Sequence, residues 1–542
     1  MSVSAEAQRG QVPPRAEARP SDTRLVGRSI PGTERIVGDP LRRSLRLVTI
    51  AWFYGAFWMA ATTGAPLTRL AQYLGADDFM FSLLAAAPYV SVLLQIPGSL
   101  IVDWLGRRKA FFIWTVTGHR AVYPVIGLLP WVMPGHATAS ALVMVFLLLV
   151  SMSLGNMGGG AWANWMADLV PPRVRGKYFA RRGRLGIIVL LITGLSVGLL
   201  LDGANRLFPS NPPGGGAGYL IAGLPPLIVL ISVIFVIAGL AGMMDILTFR
   251  NVEEPAMDPP IRESLFERLA RPIRDRQFMA YCSYFSVWNF AVAFTATFWW
   301  VYFLNFADQL ARDGDTAWWL NYRNLAGVIV LPASYQIGQF LGYPMWGAAV
   351  DKFGRKPVLL ISSTIHTLTW AIWLFLTPQL VLWLVPMQIL GGLMGGGQDI
   401  ANFNMMMGFN RKGGPGYQAL GSVLFSLAGA VGCFMAGSLA KTLSGVQLVI
   451  LGRPFNHYAI LIAIGMLVKM GADFVLLPYI QDLKAKPTKQ TVRFVVANLQ
   501  GNLSTLTTLI FTPIKSLPVG ARNQLRTWRR LGEKIINVRQ ND

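Results

Sequence analysis

Charged residues are scarce in this chain of 542 residues. They make up 14% of it, whereas an ordinary soluble protein carries roughly 25%. Hydrophobic residues make up 53%. A soluble chain of this length would form several domains, each with a charged surface, and the sequence lacks that charge. The apolar content also excludes disorder as the overall state, so a membrane is the natural solvent for this composition.

Cysteine and the common catalytic motifs are nearly or wholly missing. The two cysteines, Cys282 and Cys433, both lie in apolar runs, which excludes a disulfide scaffold and a cysteine zinc site. The sequence has no Gly-x-x-x-x-Gly-Lys-[Ser/Thr] phosphate loop, no Gly-x-Ser-x-Gly elbow and no His-Glu-x-x-His helix. We therefore expect no enzyme activity, no cofactor and no metal site.

Apolar runs long enough to cross a membrane fill most of the chain. A span needs roughly 20 residues. Twelve spans are predicted, separated by strong helix breakers such as Pro171-Pro172. Their approximate bounds are 46–67, 79–102, 109–132, 138–161, 184–204, 219–246, 278–304, 324–349, 357–377, 379–405, 417–440 and 456–480.

Basic residues are distributed unequally between the two sides of the predicted membrane. With the amino terminus inside, 40 of the 48 lysines and arginines fall on the cytoplasmic side. This positive-inside bias places both termini in the cytoplasm and the chain in the cell (plasma or inner) membrane. The net charge of +22 therefore predicts contact with anionic lipids at the cytoplasmic face, and no nucleic acid.

The same pattern predicts five parts along the chain. Residues 1–44 read as a disordered cytoplasmic tail without a cleaved secretory signal. Six spans in 45–247 and six in 278–481 flank a charged cytoplasmic linker at 248–277. Residues 482–542 are basic, and they fit either an amphipathic helix on the membrane surface or a solvated tail.

Three pairs of motifs recur in the same order in the two halves. After the second and eighth predicted spans the chain reads Asp103-Trp-Leu-Gly106-Arg107-Arg108 and Asp351-Lys-Phe-Gly354-Arg355-Lys356. Met157-Gly-Gly-Gly160, followed by Asn164, matches Met394-Gly-Gly-Gly397, followed by Asn402. Tyr178-Phe-Ala180 pairs more faintly with Tyr417-Gln-Ala419. The order indicates a duplicated six-helix unit.

With these motifs, residues 45–480 resemble the major facilitator superfamily. The loop pattern Gly-x-x-x-[x]-Asp-x-x-Gly-Arg-[Arg/Lys]-[Arg/Lys] is its most specific signature, and segment 165–176 is similar to its loop between helices four and five. The resemblance implies an all-α membrane protein of twelve transmembrane helices in two pseudo-symmetric six-helix bundles. The helix-five Gly-Pro motif of many drug antiporters and the Pro-Glu-Ser-Pro-Arg run of sugar porters are absent, which argues against either substrate label.

The resemblance also gives the repeated loop a role. It implies that Asp103 and Arg107, like Asp351 and Arg355, help to lock the two halves in the outward-facing state. The alternative is that these are positive-inside charges at a tight turn. The predicted gate motif comprises Gly98, Asp103, Gly106, Arg107, Arg108, Gly347, Asp351, Gly354, Arg355 and Lys356.

Ionisable residues inside the predicted spans are the first candidates for a site, because each costs about 2.5–3.5 kcal/mol on insertion scales. Asp399 follows a run of glycines in helix ten, which by resemblance lines the cavity, and we predict that it binds substrate or a proton. His119 and Arg120 fit a site or a partner in another helix equally well. Lys469 and Asp473, four residues apart, favour a self-neutralising pair.

Aromatic and amide side chains complete the candidate site. Trp58 in helix one and Trp288 in helix seven lie on aromatic faces of helices that line the cavity by resemblance. They fit ligand stacking or ordinary packing. Asn164 and Asn402 occupy matching repeat positions, and an amide in a membrane needs a partner, such as a substrate hydroxyl or carboxylate.

These observations predict a monomeric secondary transporter that moves a small solute by alternating access, driven by its own gradient or by protons. The alternative is a transport-incompetent scaffold or sensor on the same fold. Two gate motifs and charged spans favour transport, because a scaffold needs neither.

Overall fold

A computed structural model gives the fold for residues 36, 38–209, 219–256, 265–413, 416–446, 448–450, 453–482 and 485–497. The first half contains α1 (Asp39–Thr62), α2 (Ala65–Tyr73), α3 (Asp78–Val92), α4 (Gln95–Leu105), α5 (Arg108–Val132), α6 (Ala137–Leu169), α7 (Pro172–Leu207) and α8 (Pro226–Thr248). The second contains α9 (Leu265–Arg274), α10 (Arg276–Ala296), α11 (Trp299–Arg312), α12 (Arg323–Val328), α13 (Ser334–Phe353), α14 (Arg355–Thr369), α15 (Val381–Gly413), α16 (Gly416–Thr442) and α17 (His457–Gly471). Short 3-10 or π segments join or extend several of them.

Most of the twelve predicted spans correspond to helices or pairs of consecutive helices that can cross a membrane. In the described part of the chain, 10 helical stretches are long and apolar enough to do so. The two predicted spans that fall short are α5 and α15, although these helices have 25 and 33 residues. Polar side chains such as Arg120 and Asp399 lower their hydropathy. The two predicted spans with the weakest membrane signal are therefore those that carry the ionisable site candidates His119, Arg120 and Asp399.

Several element boundaries differ from the sequence prediction. Helix α1 begins at Asp39, inside the predicted tail, and α9 lies within the predicted linker. A small antiparallel hairpin, β1 (Leu448–Ile450) with β2 (Arg453–Phe455), adds to an otherwise helical fold. A helix at 488–497 packs Phe494 on Phe353, with ring centroids 5.2 Å apart, so this part of the basic tail is docked on the second half. The rest of both predicted tails lies outside the described residues.

The helices define two opposite faces of the molecule. The tail face contains the start of α1 and the two gate-motif turns, and the opposite face, here called the closed face, contains the α1–α2 and α11–α12 connections. In both motif turns the glycine has a positive φ, 62° at Gly106 and 90° at Gly354. Glycine adopts such angles at no steric cost, which explains its place in the motif.

The hydrophobic core is shared by both halves at one face and divided at the other. One cluster contains residues from both halves, such as Leu70 and Tyr123 together with Phe303 and Leu461. Nearer the tail face, one separate cluster belongs to the first half, around Trp165, and another to the second half. The two bundles therefore join at the closed face and separate towards the tail face.

Candidate functional site

The first gate motif is held by a carboxylate that follows α8. The backbone N–H groups of Arg108 and Lys109 donate to Glu254 Oε1 at 2.9 and 3.0 Å, so the side chain caps the start of α5. The Arg108 guanidinium pairs with Asp168 of α6 and donates to the carbonyl of Pro255 at 2.9 Å. Arg108 is thus a structural tie within the first bundle.

The second motif repeats this arrangement. The N–H groups of Arg355 and Lys356 donate to Asp482 Oδ2 at 2.6 and 3.0 Å, which caps α14 with a carboxylate that follows the last span. The Lys356 ammonium donates to the Pro478 carbonyl at 2.7 Å, as Lys109 does to the Val252 carbonyl. The duplication therefore extends to contacts that no sequence motif marked.

The motif carboxylates themselves are unpaired within the described chain. Asp103, Arg107 and Asp351 are exposed on the tail face, and neither aspartate has a hydrogen bond or ion pair with a described residue. The first glycines of the two motif copies, Gly98 and Gly347, also differ in how closely they are packed. A Cβ on Gly98 would lie 2.8 Å from the Met157 carbonyl oxygen, whereas the Gly347 position is open.

A buried charge cluster lies inside the first bundle. Arg120 of α5 pairs with Asp245 of α8 at 3.3 Å, and its guanidinium carbon lies 3.4 Å from the ring centroid of Trp58. His119 Nδ1 lies 2.7 Å from the Ser151 hydroxyl oxygen. The predicted partner in another helix therefore exists. The sequence already shows Asp245 in the sixth span, although the site prediction omitted it.

In the corresponding cluster of the second bundle, Lys469 and Asp473 interact electrostatically, as expected for the predicted pair. Their charged atoms lie more than 4 Å apart, so the two side chains form no direct ion pair. Lys469 is fully buried, and its ammonium donates to the hydroxyls of Thr367 and Ser363, at 2.7 and 3.2 Å. Asp473 accepts a hydrogen bond from Tyr284 at 2.7 Å. Each group therefore has its closest hydrogen-bond partners on the facing helices and not in its own helix.

Trp288 lies at the edge of that cluster. The Lys469 ammonium is 5.9 Å from its ring centroid, and the indole N–H is buried without a partner among the described residues. Trp58 and Trp288 thus each lie beside a buried cation, one in each half.

Asp399 lies at an exposed surface of the second bundle. Its Oδ2 accepts hydrogen bonds from Gln339 at 2.9 Å and Tyr343 at 3.2 Å, both on α13. Helices α13 and α15 approach closely, because a Cβ on Gly338 or Gly392 would meet backbone oxygen of the other helix at about 2 Å. This approach presents Asp399 to polar side chains of the neighbouring helix.

The two matching asparagines have different surroundings. Asn164 is exposed on α6, whereas Asn402 accepts a hydrogen bond from Tyr281 at 2.5 Å. The repeat therefore places equivalent amides, but only Asn402 has a protein partner among those described. No group of three or more His, Cys, Asp or Glu side chains suited to a metal ion occurs in the described part of the chain.

A chain of polar side chains joins the bundles at the closed face. Arg69 pairs with Asp308 and donates to the side-chain oxygen of Asn324 at 3.1 Å. Asn324 donates in turn to Asp202, through its amide side chain at 2.8 Å and its backbone N–H at 3.0 Å. Arg323 also pairs with Asp308, at 3.2 Å. Except for the pair of Arg323 and Asp308, which lies within the second half, each of these contacts joins the first half to the second.

This network, and a second cross-bundle contact from Asp78 to His457 and Tyr458, lie on the closed face. Sequence reasoning missed both. It counted Arg69 only as an outside charge, and it passed over Asp202 at the end of a span. The sequence of a single helix does not show which helix it contacts across the interface.

Comparisons with known proteins identify the fold. No protein-family model and no curated protein sequence matches the chain. Solved structures do match over most of its length. A variant of the nucleoside transporter NupG has a TM-score of 0.59 and 11% identity, covering 82% of this chain and 100% of its own. A D-xylose-proton symporter has a TM-score of 0.54 and 14% identity, covering 83% and 99%.

A third match is the xylose transporter XylE from E. coli in a partially occluded inward open conformation. It has a TM-score of 0.52 and 12% identity, and the match covers 83% of this chain and 100% of that one. The chain therefore has the fold of the major facilitator transporters, a multi-pass membrane fold, as the sequence motifs predicted.

Proposed function

We propose that this chain, with its major facilitator fold, is a secondary transporter that moves a small solute across the membrane by alternating access. One observation carries the proposal: the halves share a core and polar contacts at the closed face, while their cores are separate towards the tail face. If two bundles are joined at one face only, a rocking motion can open that face and close the other.

The gate motifs fit this cycle as the contacts of the other state. Asp103 and Asp351 are exposed while the tail face is open. When the bundles rock, the tail-face ends of the helices approach, and each carboxylate then meets cations or helix ends across the interface. In this proposal residues 45–247 and 278–481 are the moving bodies, and 248–277 links them.

Asp399 is the proposed proton site. Its two neighbours are neutral hydrogen-bond donors, so no cation fixes its charge, and the carboxylate can gain or lose a proton as access alternates. Trp58, Trp288, His119 and Arg120 then belong to supporting clusters in the two bundles.

The basic residues give the proposed orientation. The tail face lies in the cytoplasm of a cell membrane, where its lysines and arginines contact anionic lipids, and the chain acts as a monomer. A small organic solute is the proposed partner.

Distances between the bundles test the proposal. Spin labels at Leu105 and Lys352 report the tail face, and labels at Thr138 and Asp313 report the closed face, in a background without Cys282 and Cys433. All four label sites are exposed. We expect each pair to show two distances, with the tail-face pair short when the closed-face pair is long. One fixed distance at each face, with and without a pH gradient in vesicles, would instead support the scaffold alternative.

A further inference from the structure

Arg182 lies between two indole rings inside the first bundle. The sequence prediction placed it in a loop, but α7 begins ten residues earlier, at Pro172. Its guanidinium carbon lies 4.4 Å from the ring centroid of Trp52 and 5.1 Å from that of Trp162. All three side chains are partly exposed, so a ligand can reach them.

Among the described residues, the guanidinium of Arg182 has aromatic neighbours but no hydrogen-bond acceptor. Its buried Nε lacks a hydrogen-bond partner, and no carboxylate lies within 4 Å of it among the described residues. A cation on an indole face gains about 0.5–2 kcal/mol, yet a ring supplies no lone pair for an N–H donor. The side chain is therefore held in place while its donors remain available.

Among the described residues of the bundle, the positive charge around Arg182 is not balanced by an equal number of carboxylates. Asp245 is the carboxylate that interacts with Arg182, but it also forms the direct pair with Arg120. Two guanidiniums thus share one carboxylate in a region where an isolated charge is costly. A bound anion would supply the missing negative charge.

The second half shows that the fold does not need this arrangement. Aligning the repeated motifs of helices five and eleven, Tyr178 with Tyr417, places Gly421 at the position of Arg182. Matching Asn164 with Asn402 likewise places Ile400 opposite Trp162. The duplicated scaffold folds without the cation and without an indole beside it. These residues therefore serve something specific to the first half.

We propose that Arg182 binds the carboxylate or phosphate of a small organic anion, whose flat or apolar part stacks on Trp52 and Trp162. The inference rests on the proposed transport function and names its substrate class. A guanidinium suits this role because its planar donors match the two oxygens of a carboxylate or phosphate. The indole faces favour an anion with an aromatic or apolar body over a fully hydrophilic one.

Thermal unfolding of the purified full-length protein tests the proposal, with benzoate and phenyl phosphate as probes. Benzamide is the uncharged control for benzoate. We expect both anions to raise the unfolding temperature in a saturable way, and benzamide to have little effect. Arg182→Gln should weaken the apparent affinity by about tenfold or more, since it removes a charged hydrogen-bond donor. The two probes also separate carboxylate from phosphate recognition.

Arg184→Gln is the matched control, because Arg184 is exposed on the same helix. It should bind the probes like the wild type. Arg182→Lys, which keeps the charge, serves if the glutamine variant does not fold, and should lose affinity because it lacks the planar donors. Anion binding that survives both Arg182 substitutions, or no anion effect beyond that of benzamide, would overturn the proposal.

The distance measurements described above separate this proposal from the transport function. Distances that alternate between faces while neither anion stabilises the protein would refute only the substrate class. Distances that never alternate would refute transport, whatever the anions do.

Discussion

Replacing Arg69 by glutamine should open the closed face. Arg69 is 8% exposed, and it contributes two contacts to the Asp308 carboxylate and one to Asn324. These contacts exist only while the bundles meet at that face. Glutamine removes the charge and the paired donors but keeps a polar side chain. The variant should therefore shift the population towards the state in which the closed face is open.

The size of the shift follows from the partners that remain. Hydrogen bonds to charged groups contribute about 1.5–3 kcal/mol each when shielded, and exposed ion pairs about 0–1 kcal/mol. Asp308 is 28% exposed and keeps Arg323 at 3.2 Å, so the loss lies between these limits. A net change of about 1.5–3 kcal/mol corresponds to a population ratio changed by roughly 10- to 150-fold.

Labels at Thr138 and Asp313 measure this ratio. The long-distance population at the closed face should grow in Arg69→Gln, and the tail-face pair should shorten to match. Arg42→Gln is the control, because Arg42 and Asp39 form an ion pair whose side chains are 86% and 95% exposed, and its loss should change nothing. Unchanged distances in a folded Arg69→Gln protein would refute the role given to this network.

Three further predictions concern the other charged groups. Asp399→Asn should abolish solute uptake driven by a pH gradient in vesicles, while exchange of solute between pools of equal concentration should continue. Undiminished accumulation would show that Asp399 is not the proton site. Asp103→Asn, Asp351→Asn and the double variant should each alter the accessibility of cysteines at the tail face without unfolding the protein. Unchanged accessibility in all three variants would refute the proposed role of the gate-motif carboxylates in closing that face. Lys469→Met should lower the free energy of unfolding by about 3 kcal/mol, because it leaves the buried carboxylate of Asp473 without a nearby cation. The double variant Lys469→Met with Asp473→Leu should recover most of the lost unfolding temperature, because it removes both charges. A double variant no more stable than the single one would contradict the coupling.

Most of the predicted spans, the duplication and the motif turns were predictable because their signals are local. A long apolar run predicts a membrane helix without reference to its neighbours. The two copies of Asp-x-x-Gly-Arg can likewise be recognised directly from the order of residues. The positive φ of Gly106 and Gly354 likewise follows from the residue type at a tight turn. These features needed no knowledge of which helices touch.

The pairings within the site were not predictable for the opposite reason. Arg120 and Asp245 lie in different helices, and only the packing of α5 against α8 brings them together. Arg182 lies just before the predicted fifth span, so the positive-inside count included it among the loop residues. The structure places it inside a longer helix, beside two indoles.

The two halves match where they serve the scaffold and differ where a ligand would bind. Glu254 and Asp482 cap equivalent helices through equivalent pairs of N–H groups. Inside the bundles, by contrast, the buried cation that interacts with a carboxylate comes from helix three in the first half, as Arg120 paired with Asp245, and from helix twelve in the second, as Lys469 near Asp473. A rocking mechanism needs two similar bodies, but it does not need similar interiors. In the proposed transport cycle, a single asymmetric solute between those bodies would contact each one through different groups. We therefore infer that the shared contacts maintain the two bodies, and that Arg182, which has no counterpart in the second half, marks the side from which the solute is recognised.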